Sequence, residues 1–176
     1  MKYKESLVTY ILICINILIF IITAFLSKNI YNIDLYTLIA LGAKVNELIN
    51  NGQVWRLLTC AFLHGGLAHI AFNMYSLKII GSEVEYVYGK VKYIGIYLIS
   101  ALGGSIFSYL FNADSISVGA SGAIFGLLGA MLIFGIRHKN KIGKAYNNEL
   151  PESIKILSLL DMKLFSNKGI TLSSCM

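Results

Sequence analysis

The residues best suited to chemistry lie in an apolar, glycine-rich stretch centred on Ser121. Ser121 stands between Gly119 and Gly122, and glycine recurs at Gly126 and Gly129. Spacings of three and four place these glycines along one side of a helix, where another backbone can approach closely. A serine hydroxyl there could attack a carbonyl group, provided that a base and donors for the resulting negative oxygen are also present. Ordinary glycine packing in a membrane helix explains the same pattern.

A second set of polar residues supplies donors of the required kind. His69, Asn73 and Ser76 follow one another at spacings of four and three, so they share one face of a helix. An imidazole and an amide facing lipid would be costly, so this face should look into the bundle or a wet cavity. Hydrogen bonding between helices is the alternative explanation. Together with the Ser121 N–H at a helix start, these side chains predict an acyl-transfer site with two or three oxyanion donors.

Composition places these residues in a membrane protein of one domain. The chain has 176 residues, of which 56% are hydrophobic and 14% charged, and its mean hydropathy is +0.68. The net charge of +6 does not indicate nucleic acid, because no basic face is interleaved with aromatic residues. Cys14, Cys60 and Cys175 lack metal-ligand spacing and form an odd set. We therefore expect no disulfide framework and no metal site.

The predicted fold class is an all-α polytopic membrane protein. Apolar runs predict four transmembrane helices, within a membrane domain of residues 1–144, at 7–26, 67–80, 93–111 and 118–136. The long polar loop after the first run carries apolar and aromatic residues, so it should fold back on the membrane surface. Trp55 and Arg56 at its end suit an anchor at the interface. A charged connection at 81–92 separates the second and third runs.

The distribution of positive charge predicts the topology. Lys2 and Lys4, the 81–92 connection and the basic cluster after Ile136 all fall on one side, which the positive-inside rule assigns to the cytoplasm. The amino terminus is then cytoplasmic, and the protein lies in the plasma (inner) membrane. Ser121 and His69 both come near the outer membrane face at similar depth. A motif used only for packing does not predict that convergence.

The ordered set of these motifs resembles the rhomboid family of intramembrane serine proteases. It comprises Trp55-Arg56, His64, His69-x-x-x-Asn73 and Gly119-Ala120-Ser121-Gly122. The resemblance implies that Ser121 is the nucleophile, that His69 and Asn73 help to form the oxyanion hole, and that no metal or cofactor takes part. It further implies a membrane-embedded first loop holding Trp55 and Arg56, and a structural pattern formed by Gly81, Glu85 and Gly89. The substrates would be transmembrane segments of other proteins, cleaved near their outer ends.

The resemblance also implies parts that this sequence does not contain. Such rhomboids have a six-helix bundle whose sixth helix carries the general base, a histidine, and no such histidine follows here. His138 lies seventeen residues beyond Ser121, about 25 Å along a helix, on the opposite side of the membrane. His64 is not at the family's base position. We therefore expect a family member that is truncated at its C-terminus and inactive as written. Residues 145–176 would form a cytoplasmic tail, either a short amphipathic helix or non-native sequence.

Two other functions account for parts of this pattern. A non-catalytic rhomboid-like protein would bind transmembrane helices without cutting them. A small four-span transporter or packing subunit would have no link to proteolysis. The joint presence of Ser121, His69 and Asn73 favours a catalytic lineage over both.

Overall fold

A computed structural model of the protein describes residues 6–111 and 115–145. The chain divides into two units, Met1–Leu128 and Gly129–Met176. The first unit holds all of the predicted site residues. The predicted cytoplasmic tail after residue 145, and the N-terminal lysines used for the topology, lie outside the described residues.

The described residues form eight α-helices. Their bounds are α1 Leu7–Ser27, α2 Leu35–Leu41, α3 Asn46–Asn50, α4 Arg56–Thr59, α5 Leu67–Ser76, α6 Ser82–Tyr88, α7 Lys90–Phe111 and α8 Ser121–Ala145. A 3-10 turn at Cys60–Phe62 extends α4, and a π-helical segment at Leu77–Gly81 joins α5 to α6 without a break. The all-α class is confirmed for the described part of the chain.

Three of the helices are long and apolar enough to cross a membrane. They are Leu7–Ser27, Lys90–Phe111 and Ser121–His138. The helical pair Arg56–Phe62 and Leu67–Tyr88 passes the same test jointly, with a bend of 92° between its halves. The protein is thus a polytopic membrane protein, and its described residues hold three candidate spans, or four if the bent pair crosses as one.

Three of the helices have bounds that differ from those of the apolar runs that predicted them. The second helix does not end at Ile80, since the predicted charged connection continues it as α6, with Glu83 and Glu85 buried. The third helix begins at Lys90 rather than at residue 93. The fourth begins at Ser121 rather than at residue 118, so Gly119 precedes the helix instead of lying on its glycine face. The spacing of the glycines does not show at which residue α8 begins.

Polar residues, rather than large apolar ones, form most of the buried side of α1. Thr9, Asn16 and Thr23 recur every seven residues and are fully buried, whereas most of the isoleucines and leucines of α1 are exposed. The Asn16 amide donates to the Leu12 carbonyl oxygen at 2.8 Å, and the Thr23 hydroxyl to that of Ile19 at 2.7 Å. Apolar side chains gain nothing by leaving lipid, so the polar stripe is the side that packs inward.

Small residues set the packing between α7 and the start of α8. A methyl group on Gly104 would lie 3.1 Å from the Gly122 Cα atom, and one on Gly126 would overlap the Ser100 side chain. The two backbones therefore touch, as the glycine spacing predicted for Gly122 and Gly126. The buried stripe of α7 recurs at every fourth residue, at Tyr93, Tyr97, Ala101 and Ser105.

The carboxylate of Glu85 caps the first turn of α1. Its two oxygens accept the Val8 N–H at 3.0 Å, the Thr9 N–H at 2.8 Å and the Thr9 hydroxyl at 2.8 Å. The Ser6 side chain at the start of α1 makes no capping hydrogen bond, so Glu85 supplies the acceptor that the first helical N–H groups need. Gly81, one turn earlier, lets Tyr93 and Thr9 approach, since a methyl group there would lie 2.8 Å from the tyrosine oxygen.

Replacing Glu85 by alanine should lower the free energy of unfolding by about 1.5–3 kcal/mol, because the α1 donors would lose a charged acceptor. The measurement is unfolding of the full chain in detergent micelles, followed by circular dichroism. Glu47→Ala is the control, since Glu47 is exposed on α3 and has no part in this network. An equal loss in both variants would contradict the capping role.

Candidate active site

The Trp55-Arg56 pair organises residues 28–66, named the outer loop here after the side of the membrane that the charge distribution predicts for it. Arg56 is buried and donates to the carbonyl oxygens of Ile39 at 2.7 Å and Ala43 at 3.0 Å, and to the Gln53 side chain at 2.7 Å. Its guanidinium lies 4.8 Å from the centre of the Trp55 ring. Trp55 itself is about half exposed, at 49%. The buried arginine therefore joins three residues of the loop by hydrogen bonds, while the tryptophan lies at the surface of the loop.

Ser121 is the first residue of α8 and is exposed. Its hydroxyl makes no hydrogen bond to any other described residue. The segment before it is fixed, because the Gly119 N–H donates to the Cys60 carbonyl oxygen at 2.9 Å. Gly119 has a φ of +119°, a conformation that favours glycine. As the helix begins at Ser121, its own N–H has no partner within the helix and is available to an oxyanion.

The side chain of His69 lies against the backbone of Gly119. A methyl group on Gly119 would be 2.7 Å from His69 Nε2, so that nitrogen faces the segment leading to Ser121. The other ring nitrogen, Nδ1, accepts the Gly65 N–H at 3.3 Å. In a neutral imidazole one nitrogen accepts and the other donates. This bond therefore places the ring proton on Nε2 and makes His69 a donor towards Gly119.

Asn73 follows one turn later on the same face of α5. Its Nδ2 donates to the His69 carbonyl oxygen at 3.0 Å, which orients the amide. Asn73 is buried, with 7% of its surface exposed, and Nδ2 would be 3.8 Å from a methyl group on Gly119. One N–H of the amide is used within α5. The second is available on the side of Gly119.

His64 stands behind His69 and is completely buried. Its ring meets that of His69 edge-on, with 5.2 Å between the centroids. Neither of its ring nitrogens has a hydrogen-bond partner among the described residues. The resemblance assigned His64 to the motif without a role, and its position supports the His69 ring from the side away from solvent.

The structure thus brings some of the predicted residues together and separates others. His69, Asn73 and Gly119 are in contact distance, and Ser121 follows two residues after Gly119. Glu85 is occupied with the start of α1, and Trp55-Arg56 with the outer loop. Among the residues that the structure describes, no group of three or more His, Cys, Asp or Glu side chains could hold a metal ion.

Two residues that hold the Ser121 segment escaped the sequence analysis. Cys60 acts through its main-chain carbonyl, which no sequence pattern reveals. Lys44 is completely buried in the outer loop and exchanges two backbone hydrogen bonds with Ser117. The only signal for Lys44 was a single positive charge within an otherwise apolar run, Ile39 to Val45, which a surface lysine would also produce.

Comparison with known proteins decides the family. A model of the rhomboid domain matches residues 51–167, which is more than half of the 176-residue chain. The chain belongs to the rhomboid family. It is similar to the rhomboid protease GluP of Bacillus subtilis (strain 168), with 44% identity over 131 residues. It is also similar to RHOMBOID-like proteins 1 and 2 of Arabidopsis thaliana, with 52% identity over 97 residues and 54% over 92.

This rhomboid covers only part of its relatives. The matches take in 74% of the chain for GluP, and 54% and 52% for the two plant proteins. The same matches cover 25%, 25% and 29% of the relatives' own lengths. The chain therefore spans about a quarter of the length of these proteins, and residues 51–167, which the rhomboid model matches, contain the residues of the site.

Replacing Gly119 by alanine should destabilise this rhomboid by about 1–3 kcal/mol, because the methyl group would press on His69 Nε2 and the positive φ disfavours a side chain. Unfolding of the full chain in micelles would measure the change. Gly103→Ala is the matched control, since Gly103 is exposed on α7 and a methyl group there meets nothing within 4 Å. It should be neutral, or more stable by up to about 1 kcal/mol. Equal destabilisation of both variants would show that Gly119 is not a close contact.

Proposed function

We propose that this chain carries the nucleophile and the oxyanion donors of an intramembrane serine endopeptidase, which cleaves transmembrane segments of other proteins near their outer ends. The observation that carries the proposal is the arrangement of two side-chain donors around Gly119. His69 Nε2 and Asn73 Nδ2 both face this residue, two positions before Ser121. The match to a rhomboid protease supports the same activity.

The donors fit the charge that develops during acyl transfer. When Ser121 Oγ attacks the peptide carbonyl carbon, the carbonyl oxygen becomes negative in the tetrahedral intermediate. The N–H groups of His69 Nε2, Asn73 Nδ2 and the Ser121 backbone would then stabilise that oxygen. Because Gly65 and the His69 carbonyl hold the two side chains, little reorganisation would be needed as the charge forms.

The base that removes the Ser121 proton is not supplied by the three histidines of this chain. His69 carries its proton on the nitrogen that faces Gly119, and its other nitrogen is occupied by Gly65. His64 is completely buried behind it. His138 stacks on Phe134, with 4.3 Å between ring centroids, and its Nδ1 lies 3.0 Å from the Phe134 carbonyl oxygen. The 176 residues on their own should therefore be inactive, since losing the base costs orders of magnitude in rate.

That none of the three histidines serves as the base also favours a second candidate, a non-catalytic rhomboid-like protein. A site with a nucleophile and donors but no base could hold a transmembrane helix without cutting it. This candidate predicts that Ser121 never reacts, whatever is added to the chain. The first predicts reaction as soon as a base is supplied.

A chimera with the protease GluP separates the two candidates. In it, this chain replaces the GluP segment that it matches, so that GluP supplies the remaining parts. We expect the chimera to cleave a transmembrane substrate and to be labelled by a fluorophosphonate, and Ser121→Ala to abolish both. His69→Ala and Asn73→Ala should each lower the rate about 100- to 1,000-fold, the usual loss for one oxyanion donor.

The 176-residue chain alone is the companion measurement. It should show no labelling above that of its Ser121→Ala variant. Labelling of the chain alone would refute its inactivity and reveal a base within it. A folded chimera that stays unlabelled, while GluP itself is labelled, would sink the protease proposal in favour of the helix-binding one.

We place the protein in the plasma membrane with its amino terminus in the cytoplasm, because Lys2 and Lys4, the 81–92 connection and the basic cluster after Ile136 fall on one side. Alkaline phosphatase fused after Gln53 should then be active, since the outer loop lies outside. The same enzyme fused after Tyr88 should be inactive. The reverse pattern would invert the topology.

A further inference from the structure

Lys44 is a completely buried cation in the outer loop, between α2 and α3. Its ammonium donates to the carbonyl oxygens of Ser108 at 3.2 Å and Ser115 at 3.1 Å. Burial lowers the pKa of Lys44, which reflects the cost of removing the charge from water. A buried ammonium is retained only where acceptors offset that cost. Two of its acceptors are main-chain oxygens on either side of the α7 terminus.

The last turn of α7 depends on this loop for its hydrogen bonds. The carbonyl groups of the final four helical residues have no partner within the helix. The Lys44 ammonium donates to the Ser108 carbonyl oxygen, and the Asn46 side-chain amide donates to the Tyr109 carbonyl oxygen at 2.8 Å. The Tyr109 hydroxyl in turn donates to the Asn50 side chain at 2.5 Å. The outer loop therefore works as the C-terminal cap of α7.

Lys44 also holds the segment that leads into Ser121. Its backbone and that of Ser117 exchange two hydrogen bonds, of 3.0 Å and 3.2 Å, in an antiparallel bridge. The hydroxyl of Ser117 lies 2.8 Å from that of Ser108. Lys44, Ser108 and Ser117 thus form a closed ring of hydrogen bonds that joins three separate parts of the chain.

We propose that Lys44 is a positioning residue for Ser121: its side chain locks the α7 terminus to the segment 115–120 and so fixes where the α8 helix starts. This inference rests on the proposed function of Ser121 for its catalytic meaning. Ser117 precedes Ser121 by four residues, and Gly119 between them is held by Cys60. Lys44 itself touches neither Ser121 nor the donors His69 and Asn73.

The side chain is needed because the backbone bridge alone is a single pair. Isolated two-residue pairing is weak in itself, whereas the ammonium adds hydrogen bonds to the carbonyl oxygens of Ser108 and Ser115. Methionine at position 44 would keep the length and apolar stem of lysine but remove these two hydrogen bonds. Arginine would keep the charge and the donors.

The test is amide hydrogen exchange of the full chain in micelles, with the peptide that covers residues 115–120 as the reporter. In Lys44→Met, the Ser117 and Gly119 amides should exchange at least about tenfold faster, while the Tyr97 and Ala101 amides in the middle of α7 change little. Lys44→Arg should retain the protection to within about threefold. Lys92→Met is the matched control, because Lys92 is exposed at the other end of α7.

Three outcomes would overturn the proposal. Unchanged exchange at Ser117 and Gly119 would show that the ammonium does not fix the segment. Equal acceleration throughout the chain would make Lys44 a residue of general stability rather than a positioning residue. A loss as large in Lys44→Arg as in Lys44→Met would show that the donor is not what matters.

The GluP chimera gives the catalytic readout. There Lys44→Met should lower kcat about tenfold with KM unchanged, because a displaced serine still binds substrate but meets it in the wrong geometry. An unchanged kcat alongside faster exchange would overturn the positioning role. A chimera that is inactive even with Lys44 intact would instead count against the protease proposal, and the exchange result would still decide whether Lys44 anchors the segment.

Discussion

In a lipid bilayer, apolar side chains gain no hydrophobic free energy by packing on one another, and the rest of the structure depends on this constraint. The long helices α1 and α7 expose most of their isoleucines, leucines and phenylalanines and pack through other groups. α1 buries Thr9, Asn16 and Thr23, while α7 and α8 touch through glycine. Backbone polar groups drawn inside must then find partners in the protein itself. The carboxylate of Glu85 on the α1 terminus and the ammonium of Lys44 on the α7 terminus meet the same need.

The residues of the site are positioned by hydrogen bonds of the same kind. Its donors are oriented by main-chain groups, since Gly65 sets the tautomer of His69 and the His69 carbonyl oxygen holds the Asn73 amide. The serine segment is likewise held by the Cys60 carbonyl oxygen and by Lys44. The geometry of the candidate site therefore depends on how the backbone of one segment meets the polar groups of another, across the outer loop, α5 and the start of α8.

The sequence predicted the features that depend on local periodicity. The membrane class, the shared face of His69 and Asn73 and the position of Ser121 near a helix start could all be inferred from spacing and hydropathy. The continuation of the second helix through Glu83 and Glu85 could not be inferred, because the sequence does not distinguish buried glutamates from those of a solvated loop. The role of Lys44 depends on residues more than sixty positions away, which no local pattern contains. Gly119 looked like its helical neighbours, and only its φ of +119° sets it apart.

The two residues joined by the hydrogen bond between the Gly119 N–H and the Cys60 carbonyl oxygen should differ in how many amino acids they tolerate. At position 60 the acceptor is a carbonyl oxygen that every amino acid possesses, so evolution can exchange the thiol for another small side chain and keep the bond. At position 119 neither the backbone conformation nor the space beside His69 admits a side chain. Among descendants of this sequence, residue 60 should therefore drift while residue 119 stays glycine.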